Sequence, residues 1–581
     1  MVEITPTRLA LTVRTLIALS TRTFFQPDEY FQSLEPAHHV VFGYGHLTWE
    51  WLAPKPIRSI LYPALNVPIY WTLKYSGLAE DRLIGDWLLI YSPRLLHGIL
   101  AAATDIWLCE VTRRWLGHQY VSTALFLSMT SFFHALSLSR SLSNSLETSL
   151  TTIAFAYYPW DASSKLSPQL IYQSSRIRRT LIFSALACMV RPTNAVIWVL
   201  LFGKLFWALR FNRRVATTVL SEATFVGTAA ITFLFVLDSS YYKKPTFTPL
   251  NFLLTNLSSV SLFYGSNPWH YYLTQAVPIL CTTALPFVLH GMWSVAFDHH
   301  AAALRTMLGV VTWSIVIYSM AGHKEWRFLH PILPLLHVFA AKSLVDLSDR
   351  VIPKKTKVKA KSKKAIAPRQ SSMSAKVLRH LPPIRRDYLA FLSLTLPVSL
   401  CIVLFYCSAP ISVLSYIRAL PAEDLQNGTI GFLMPCHSTP GHAYIHRKEL
   451  AYGNMWALGC EPPLEYQNLT TYRDQTDVFF SSPTSYLRTY FPPQVNPFFP
   501  PSVFPTSIPG APAVVSSSAS EYYPWVHEWP HYLIMFGALL QEEGVRELLK
   551  GKGYVEVWRR GRQWEGEGHR RGGVRVWKWK G

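Results

Sequence analysis

Repeated apolar runs are the feature that most constrains how this chain can fold. Each run holds about 17–22 residues, and an α-helix of roughly that length crosses the hydrocarbon core of a bilayer. Half of the 581 residues are hydrophobic and only 15% are charged, and the apolar residues are clustered rather than scattered. The sequence therefore predicts a polytopic α-helical membrane protein with about 11 crossings.

The net charge of +21 is carried largely by short loops between the apolar runs. Such loops are cytoplasmic by the positive-inside rule, and no nucleic-acid-binding motif accompanies them. This sidedness predicts a membrane domain over residues 1–410, with luminal loops at 26–85 and 238–273 and a basic cytoplasmic loop at 348–386. The lysine-rich run 353–370 in that loop cannot bury a core of its own.

Residues 411–581 are predicted to form a small luminal domain of the α/β type, because two alternating segments near the end of the chain indicate paired strands. Two N-glycosylation sequons begin at Asn427 and Asn468, and such sites are used only in the secretory lumen. Cys436 and Cys460 are the only cysteines outside the apolar runs. We therefore expect a disulfide between them, with two free thiols as the alternative.

Ionisable residues gather at the predicted luminal ends of the spans. Such groups are costly at membrane depth and by default mark a functional cavity, although a buried ion pair between helices is the alternative for any single arginine. The cations suit the phosphate of a lipid-linked substrate. The candidates for this phosphate-binding group are Arg94, Arg140, Arg191, His323, Lys324, Glu325 and Arg327.

The first loop supplies the candidate catalytic acids, Asp28 and Glu29. Adjacent carboxylates suit a base that takes a proton from a hydroxyl beside a cationic site, but Pro27 before them also suits a helix start. Trp269 and His270 in the second luminal loop are candidate sugar contacts. A membrane-interface anchor is the equal alternative for the tryptophan.

No metal and no cofactor are expected. The histidines of the first loop lack the spacing of a zinc motif, and the chain has no glycine-rich phosphate loop or nucleotide-binding fingerprint. A soluble sugar nucleotide is therefore not indicated as a donor.

Several segments together carry a family resemblance. PDEYFQSLEPAH and FGYGHLTWEW in the first loop resemble the signature of glycosyltransferase family 22, the endoplasmic-reticulum mannosyltransferases that use dolichol-phosphate mannose. SRSLSNSLET, RPTN and HKEWRFLHPILPLL support the resemblance, which covers nearly the whole chain apart from the lysine-rich run. In the tail, LMPCHSTP is similar to the branch that acts on the precursor of glycosylphosphatidylinositol (GPI) anchors.

This resemblance implies the GT-C glycosyltransferase fold in the endoplasmic reticulum membrane, with the active site on the luminal face. It implies transfer of mannose from dolichol-phosphate mannose to the second mannose of the GPI precursor, adding the third mannose in an α-1,2 linkage with inversion. Asp28 would be the catalytic base with Glu29 as its partner, and Lys324, Arg327 and Arg191 would offset the charge of the leaving phosphate. The partners implied are the donor lipid and the acceptor glycolipid, without a catalytic metal.

Three alternatives are compatible with the membrane topology. A sister enzyme of the family would act on dolichol-linked oligosaccharide or add the fourth GPI mannose, which the tail motif disfavours. A transporter would show two repeated halves and a site at mid-membrane, and the sequence has no internal repeat. A scaffold subunit would carry a degenerate acidic loop, whereas Pro27-Asp28-Glu29 is intact.

Overall fold

The computed structural model describes residues 5–161, 175–263, 265–351, 382–463, 472–502, 525 and 527–581. The sequon at Asn468 and the lysine-rich run 353–370 lie outside these residues. The α-helices are α1 (Pro6–Ser20), α2 (Glu35–Phe42), α3 (Trp49–Leu52), α4 (Val67–Tyr75), α5 (Ile84–Trp115), α6 (His118–Thr130), α7 (Ser143–Tyr157), α8 (Arg176–Val190), α9 (Ala195–Leu209), α10 (Arg213–Tyr242), α11 (Thr248–Leu257), α12 (Val277–Cys281), α13 (Leu285–Ala296), α14 (Ala302–Ser319), α15 (Leu333–Val351), α16 (Arg386–Ser393), α17 (Thr395–Leu404), α18 (Ala409–Arg418), α19 (Ala422–Gln426), α20 (His442–Ile445), α21 (Gln475–Ser481), α22 (Pro483–Thr489) and α23 (Val545–Gly551).

Seven helical stretches in the described part of the chain are long and apolar enough to cross a membrane. Their bounds are Ile84–Trp115, Pro192–Leu209, Arg213–Tyr242, Tyr272–Ala296, Ala302–Ser319, Trp326–Asp349 and Arg386–Arg418. The predicted polytopic architecture is confirmed, whereas the number of about 11 crossings stays a prediction. The difference between the seven stretches and the predicted 11 crossings corresponds to four shorter helices, α1, α6, α7 and α8. Each has 13 to 15 residues and packs against α5 or against another of the four.

The helix α15 occupies the centre of the membrane domain. The membrane-length stretch Trp326–Asp349 includes most of α15, and 89% of its most apolar 18-residue segment is buried. In the stretch Arg213–Tyr242, which forms α10, the corresponding fraction is 11%. Leu333, Leu336 and Phe339 of α15 are at most 1% exposed and belong to the largest hydrophobic cluster. The apolar side chains of α10 face outward instead, as expected for a helix in contact with lipid.

The loop that follows α1 is folded rather than extended. Pro27 precedes a helical turn that becomes a π-helix at Tyr30–Leu34 and continues as α2. Gly43 follows the last residue of α2, and its φ of +82° is the left-handed conformation that favours glycine at a helix C-terminus. The helices α3 and α4 complete this first loop before α5 begins.

The tail contains a five-stranded sheet with the order β2-β1-β3-β5-β4. Its strands are β1 (Ile430–Leu433), β2 (Met455–Ala457), β3 (Tyr532–Phe536), β4 (Tyr554–Arg560) and β5 (Val574–Trp579). β1 pairs in parallel with β2 and β3, and β5 pairs antiparallel with β3 and β4, so the predicted pairing of the last two strands is confirmed. The sequon residue Asn427 is exposed directly before β1.

The tail packs directly on the first loop. Tyr30, Phe31 and Leu34 of the π-helical turn share one hydrophobic cluster with Phe432 and Met434 of the tail. Each of these side chains is at most 8% exposed. Because full burial of one large apolar side chain contributes roughly 1.5–3 kcal/mol, this cluster holds the tail over the first loop.

Candidate active site

A cavity of about 870 Å³ lies where the first loop, the segment 323–328 and the tail meet. This volume falls in the range of roughly 300–1,000 Å³ that is typical of ligand-binding clefts. The charged and titratable lining residues of the membrane domain include Asp28, Glu50, Arg58, Arg191, His323, Lys324, Glu325 and Arg327. Those of the tail include His437, Glu565, Glu567 and Arg570.

Asp28 lies at the start of the first-loop helix and faces the cavity. The carbonyl oxygen of Pro27 accepts the backbone N–H groups of Tyr30 and Phe31 at 2.9 and 3.0 Å, which fixes this turn. Asp28 Oδ2 accepts a hydrogen bond from Arg327 Nη1 at 2.5 Å, and the aspartate side chain is 17% exposed. A carboxylate that a cation holds at an open cavity has the placement that a general base needs.

Arg327 joins Asp28 to a chain of charged groups before α15. Its Nε and Nη2 donate to the two oxygens of Glu325 at 2.5 and 2.8 Å, and Glu325 Oε1 lies 3.2 Å from His323 Nε2. Burial raises the pKa of Glu325, but Arg327 and His323 outweigh burial and hold that pKa well below its usual range. The hydrogen bond from Glu325 in turn raises the pKa of His323. The bidentate pair therefore fixes the guanidinium beside Asp28.

Lys324 supplies a cation without a carboxylate partner among the described residues. Its ammonium donates to the carbonyl oxygen of Asn267 at 2.7 Å, and Asn267 Nδ2 donates to the carbonyl oxygen of Lys324 at 2.8 Å. The lysine is 4% exposed and lines the cavity. Because a buried ammonium is costly without a counter-ion, this position favours the approach of an anion.

Arg191 and Arg58 complete the cationic wall, each beside its own carboxylate. Arg191 Nε lies 3.2 Å from Glu147 Oε2. Arg191 directly precedes the short helical turn Pro192–Asn194, which leads into α9. Arg58 donates to Glu50 Oε1 at 2.6 and 2.9 Å. Sequence reasoning missed the Arg58 pair as part of the site, because a lone arginine outside an apolar run also fits an ordinary membrane-interface position.

Glu29, Arg140 and Arg94 do not line the cavity. Glu29 Oε2 accepts a hydrogen bond from Arg140 Nη1 at 2.9 Å, and both side chains are at most 6% exposed. Arg140 also donates to the carbonyl oxygen of Thr23 at 2.8 Å, and Arg94 donates to that of Thr21 at 2.6 Å. These contacts correspond to the alternative of buried polar links between elements, and the structure does not bring the three predicted residues to the cavity.

Trp269 and His270 also lie outside the cavity lining. The tryptophan is 71% exposed, and His270 Nδ1 is 3.1 Å from Thr274 Oγ1. Both residues directly precede the membrane-length stretch Tyr272–Ala296. This placement matches the interface-anchor alternative rather than the predicted sugar contact.

The tail closes the cavity with a loop held by a disulfide. Cys436 and Cys460 are bonded to each other, and both line the cavity. His437 has a φ of +53°, in the left-handed region, and its ring packs on Phe31 with centroids 4.5 Å apart. Burial lowers the pKa of His437 to about 4, so the imidazole is neutral at pH 7. A neutral imidazole in this wall can donate or accept a hydrogen bond with a sugar hydroxyl.

Glu35 links the first loop to the tail. This buried carboxylate accepts the backbone N–H of Ala443 at 2.7 Å through Oε1 and that of His46 at 3.0 Å through Oε2. A Cβ atom on Gly441 would lie 2.6 Å from Glu35 Oε1, so glycine is required for this close approach. Burial raises the pKa of Glu35 to about 7, while the backbone N–H groups act against that rise.

The structure is similar to that of ArnT from Cupriavidus metallidurans bound to undecaprenyl phosphate. The TM-score is 0.54 over 98% of this chain and 97% of that one, at 10% sequence identity. The apo state of the same protein gives a TM-score of 0.52 at 12% identity, with the same coverage of both chains. The fold and the cavity thus define a multi-pass membrane protein of the GT-C class, and the predicted fold is confirmed.

The chain belongs to the Alg9-like mannosyltransferase family, whose profile matches residues 6–446. It is 33% identical to GPI mannosyltransferase 3 of Yarrowia lipolytica over 481 residues, which cover 82% of each chain. It is also 32% identical to GPI alpha-1,2-mannosyltransferase 3 of Mus musculus over 486 residues, which cover 83% of this chain and 78% of the relative. The resemblance to glycosyltransferase family 22 is therefore confirmed.

Proposed function

We propose that this chain transfers mannose from dolichol-phosphate mannose to the second mannose of the GPI-anchor precursor, adding the third mannose in an α-1,2 linkage. The observation that carries the proposal is the open carboxylate of Asp28 beside Arg327, in a cavity whose walls hold further cations. The family match and the names of the relatives support mannosyl transfer in GPI biosynthesis, and the proposed donor is consistent with them.

Asp28 is the proposed base. The 2-hydroxyl oxygen of the acceptor attacks the anomeric carbon of the donor mannose, and its proton passes to the Asp28 carboxylate. The bond from that carbon to the phosphate oxygen breaks, and dolichyl phosphate leaves. Attack from the side opposite the leaving group inverts the anomeric centre. A positioned base of this kind contributes about 10²–10⁴-fold to the rate.

Cations of the cavity offset the charge that develops on the leaving phosphate. Lys324 is suited to this role because its ammonium bonds carbonyl oxygens rather than a carboxylate. Arg327 and Arg191 add positive charge from the same wall, and removal of one preorganised oxyanion-hole donor from an enzyme costs roughly 2.7–4 kcal/mol. In this proposal the side chains supply the electrostatic stabilisation, and no metal or cofactor takes part.

The proposed location is the endoplasmic reticulum membrane, with the cavity open to the lumen. The exposed sequon at Asn427 belongs to the same tail that forms one wall of the cavity, and sequons are glycosylated only in the lumen. We expect the Asn427→Gln variant to lose a glycan that endoglycosidase removes from the wild type. An unglycosylated Asn427 in correctly inserted protein would contradict this orientation.

The reaction is tested with membranes that contain the wild type or the variants Asp28→Asn, Glu29→Gln and Asp298→Asn. They are supplied with dolichol-phosphate mannose and a two-mannose GPI precursor. We expect the three-mannose product from the wild type, and a fall of about 10²–10⁴-fold for Asp28→Asn at equal expression. Asp298→Asn is the matched control, because the half-buried Asp298 lies outside the cavity lining and its Oδ1 accepts the backbone N–H of His300, a bond that asparagine retains.

The outcomes separate mechanism from substrate. Full activity of Asp28→Asn would contradict the proposed base while leaving the family membership intact. A wild type that elongates dolichol-linked oligosaccharide and not the GPI precursor would replace the proposed substrate by that of the sister enzymes. Glu29→Gln is expected to reduce the amount of folded enzyme rather than kcat, because Glu29 is buried against Arg140.

A further inference from the structure

The first-loop wall of the cavity carries a carboxylate that the proposed reaction does not use. Glu50 belongs to α3 and lines the same cavity as Asp28, and its side chain is 13% exposed. Glu50 Oε1 accepts hydrogen bonds from Arg58 Nε at 2.9 Å and from Arg58 Nη2 at 2.6 Å. Gln32 Nε2 donates to the same oxygen at 3.4 Å. Three donors therefore converge on one of the two carboxylate oxygens.

The second oxygen of Glu50 is available to a ligand. Among the described residues, no group donates a hydrogen bond to Oε2. An ionised carboxylate accepts hydrogen bonds at both oxygens, so an oxygen at a cavity without a protein donor is an open acceptor. Because the arginine binds the other oxygen through two nitrogens, the orientation of this acceptor is fixed before a ligand arrives.

The segment that carries Arg58 is anchored to the end of α10. Tyr242 donates from its hydroxyl to the carbonyl oxygen of Arg58 at 2.7 Å. Asp238 Oδ1 accepts the hydroxyl of Ser59 at 2.8 Å and the backbone N–H of Ile60 at 3.1 Å. Asp238 belongs to α10 and is 0% exposed. These three hydrogen bonds hold the chain from the arginine onward, and so they keep its guanidinium against α3.

The charges around Glu50 favour a neutral donor as its ligand. Burial lowers the pKa of Arg58, but the charges of Glu50 and Asp28 outweigh burial and hold that pKa above its usual range, while the charge of Arg327 acts against them. Two carboxylates and two guanidinium groups therefore share this part of the cavity. A further cation would be repelled by both guanidinium groups, whereas an O–H donor adds no charge. A sugar hydroxyl is such a donor.

An aromatic side chain adjoins the open acceptor. Trp49 directly precedes Glu50, is half-buried and lines the cavity. A pyranose ring has C–H groups on its faces and hydroxyls at its rim, and the negative face of an indole ring attracts such C–H groups. Trp51 on the same helix is 3% exposed and donates from Nε1 to the carbonyl oxygen of Phe31 at 2.9 Å. α3 is thereby fixed against the π-helical turn of the first loop.

We propose that Glu50 Oε2 accepts a hydrogen bond from a hydroxyl of a mannose unit, with Trp49 against the sugar ring and Arg58 as the residue that positions the carboxylate. This inference rests on the proposed function and adds a specificity-determining contact to it. Donor and acceptor both present mannose hydroxyls, so the test includes analogues of each. Glu50 takes no part in proton transfer or in the bonds that break and form, and its loss therefore acts on sugar recognition.

The test measures kcat/KM of the wild type and of Glu50→Gln with monodeoxy sugars. The donors lack the 2-, 3-, 4- or 6-hydroxyl of mannose, and the acceptors lack the 3-, 4- or 6-hydroxyl of the second mannose. With unmodified substrates we expect kcat/KM of Glu50→Gln to fall about 10–100-fold, because a hydrogen bond to a charged group is lost. With the analogue that lacks the contacted hydroxyl, the wild type and the variant should agree within about twofold.

Glu80→Gln is the matched control. Glu80 is an exposed glutamate of the same first loop, ends the short helical turn Leu78–Glu80 and lies outside the lining of the cavity. It should keep the wild-type kcat/KM with every sugar. Thermal unfolding of each variant shows whether the compared proteins are folded.

A second variant tests the same contact if Glu50→Gln does not fold. Tyr242→Phe removes the hydrogen bond to the carbonyl oxygen of Arg58 and leaves the Glu50 carboxylate in place. We expect kcat/KM to fall about 2–10-fold with unmodified substrates and to match the wild type with the analogue that lacks the contacted hydroxyl. A loss that is the same for every sugar would contradict the positioning role of Arg58.

The outcomes of the kinetic test separate the two sugars and the two roles. Convergence of the wild type and Glu50→Gln on a deoxy donor assigns the contact to the donor mannose, and convergence on a deoxy acceptor assigns it to the acceptor. An unchanged kcat/KM of Glu50→Gln with unmodified substrates would overturn the proposal. An equal loss with every analogue would also overturn it, because Glu50 would then act through packing rather than through a sugar hydroxyl.

A binding measurement separates the subsite from the reaction if the wild type does not elongate the GPI precursor. The purified full chain is mixed with methyl α-mannoside or with its monodeoxy analogues, and binding is measured by saturation-transfer NMR. Weaker binding of one analogue by the wild type, but not by Glu50→Gln, would support the subsite although the proposed function would have failed. Equal binding of all these sugars by the wild type would reject the subsite directly.

Discussion

Asp28 and Glu29 are neighbours in the chain, yet each is paired with an arginine in a different environment. Asp28 meets Arg327 at the cavity, where the aspartate side chain is 17% exposed. Glu29 meets Arg140 in the interior, where both side chains are at most 6% exposed. Successive residues of a helix point about 100° apart, so one turn directs one acid to solvent and the other to the core. The same pair of residue types thus lines a cavity in one direction and links buried elements of the fold in the other.

The largest effect on stability is expected from the buried pair. Arg140→Gln leaves the Glu29 carboxylate buried without its cation, which costs about 3–5 kcal/mol. Thermal unfolding of detergent-solubilised protein measures this loss, and the folded fraction should keep its kcat. Arg178→Gln is the control, because the Arg178–Glu222 pair is exposed and such pairs contribute about 0–1 kcal/mol. Equal losses in the two variants would erase the distinction between the two environments.

An intermediate effect, on rate rather than on folding, is expected at the cavity pair. Arg327→Gln removes a cation that holds Asp28 and that we propose to offset the charge of the leaving phosphate, so kcat should fall about 10²–10³-fold. Its loss of unfolding free energy should be smaller than that of Arg140→Gln, because Asp28 and Glu325 remain open to water in the cavity. Single-turnover measurements at saturating donor separate this effect from weaker binding. If Arg327→Gln keeps kcat but unfolds easily, then Arg327 stabilises the fold in the way proposed for Arg140 and does not act on the rate.

The smallest effect concerns how the His323–Glu325 contact makes the free energy of unfolding depend on pH. Glu325 raises the pKa of His323 above its ordinary value of 6.5, so the folded state binds a proton more tightly than the unfolded state. The resulting stabilisation is fully present below about pH 6.5 and is lost as the pH rises through the raised pKa. The wild type should therefore exceed His323→Gln by at most about 1 kcal/mol at pH 6, and the difference should be smaller at a second, alkaline pH. Thermal unfolding of both proteins at the two pH values measures this difference in unfolding free energy. A difference that grows as the pH rises would contradict a raised pKa of His323.

The membrane architecture was predictable because length and hydropathy are local properties of the sequence. The same holds for Asp28, since an acid beside Pro27 in an aromatic loop between apolar runs is visible without coordinates. The division of labour between Asp28 and Glu29 was not predictable, because it depends on the rotation of one helical turn against distant elements. Trp269 shows the same limit, because its alternative role as an interface anchor has an identical sequence pattern.

The contribution of the tail could not be predicted, because its contacts join residues far apart in the chain. Arg570 and Ser438 are separated by 132 positions, and neither belongs to an apolar run or to a motif with a known chemical role. Sequence patterns report periodicity and spacing within one element, whereas a cavity wall arises where several elements converge. The family resemblance drew attention to LMPCHSTP in the tail, but it did not indicate that this segment faces the first loop.

The bond from Ala443 to the Glu35 carboxylate has a consequence for the order in which the enzyme is made. It joins residues 408 positions apart, so the first loop lacks this partner until the tail has been synthesised. At about 5–20 residues per second, that interval is roughly 20–80 s. During this time the membrane helices can insert while the first loop still lacks its contact with the tail. The cavity therefore gains its tail wall last, and a chain that stops before the tail is expected to lack an enclosed cavity.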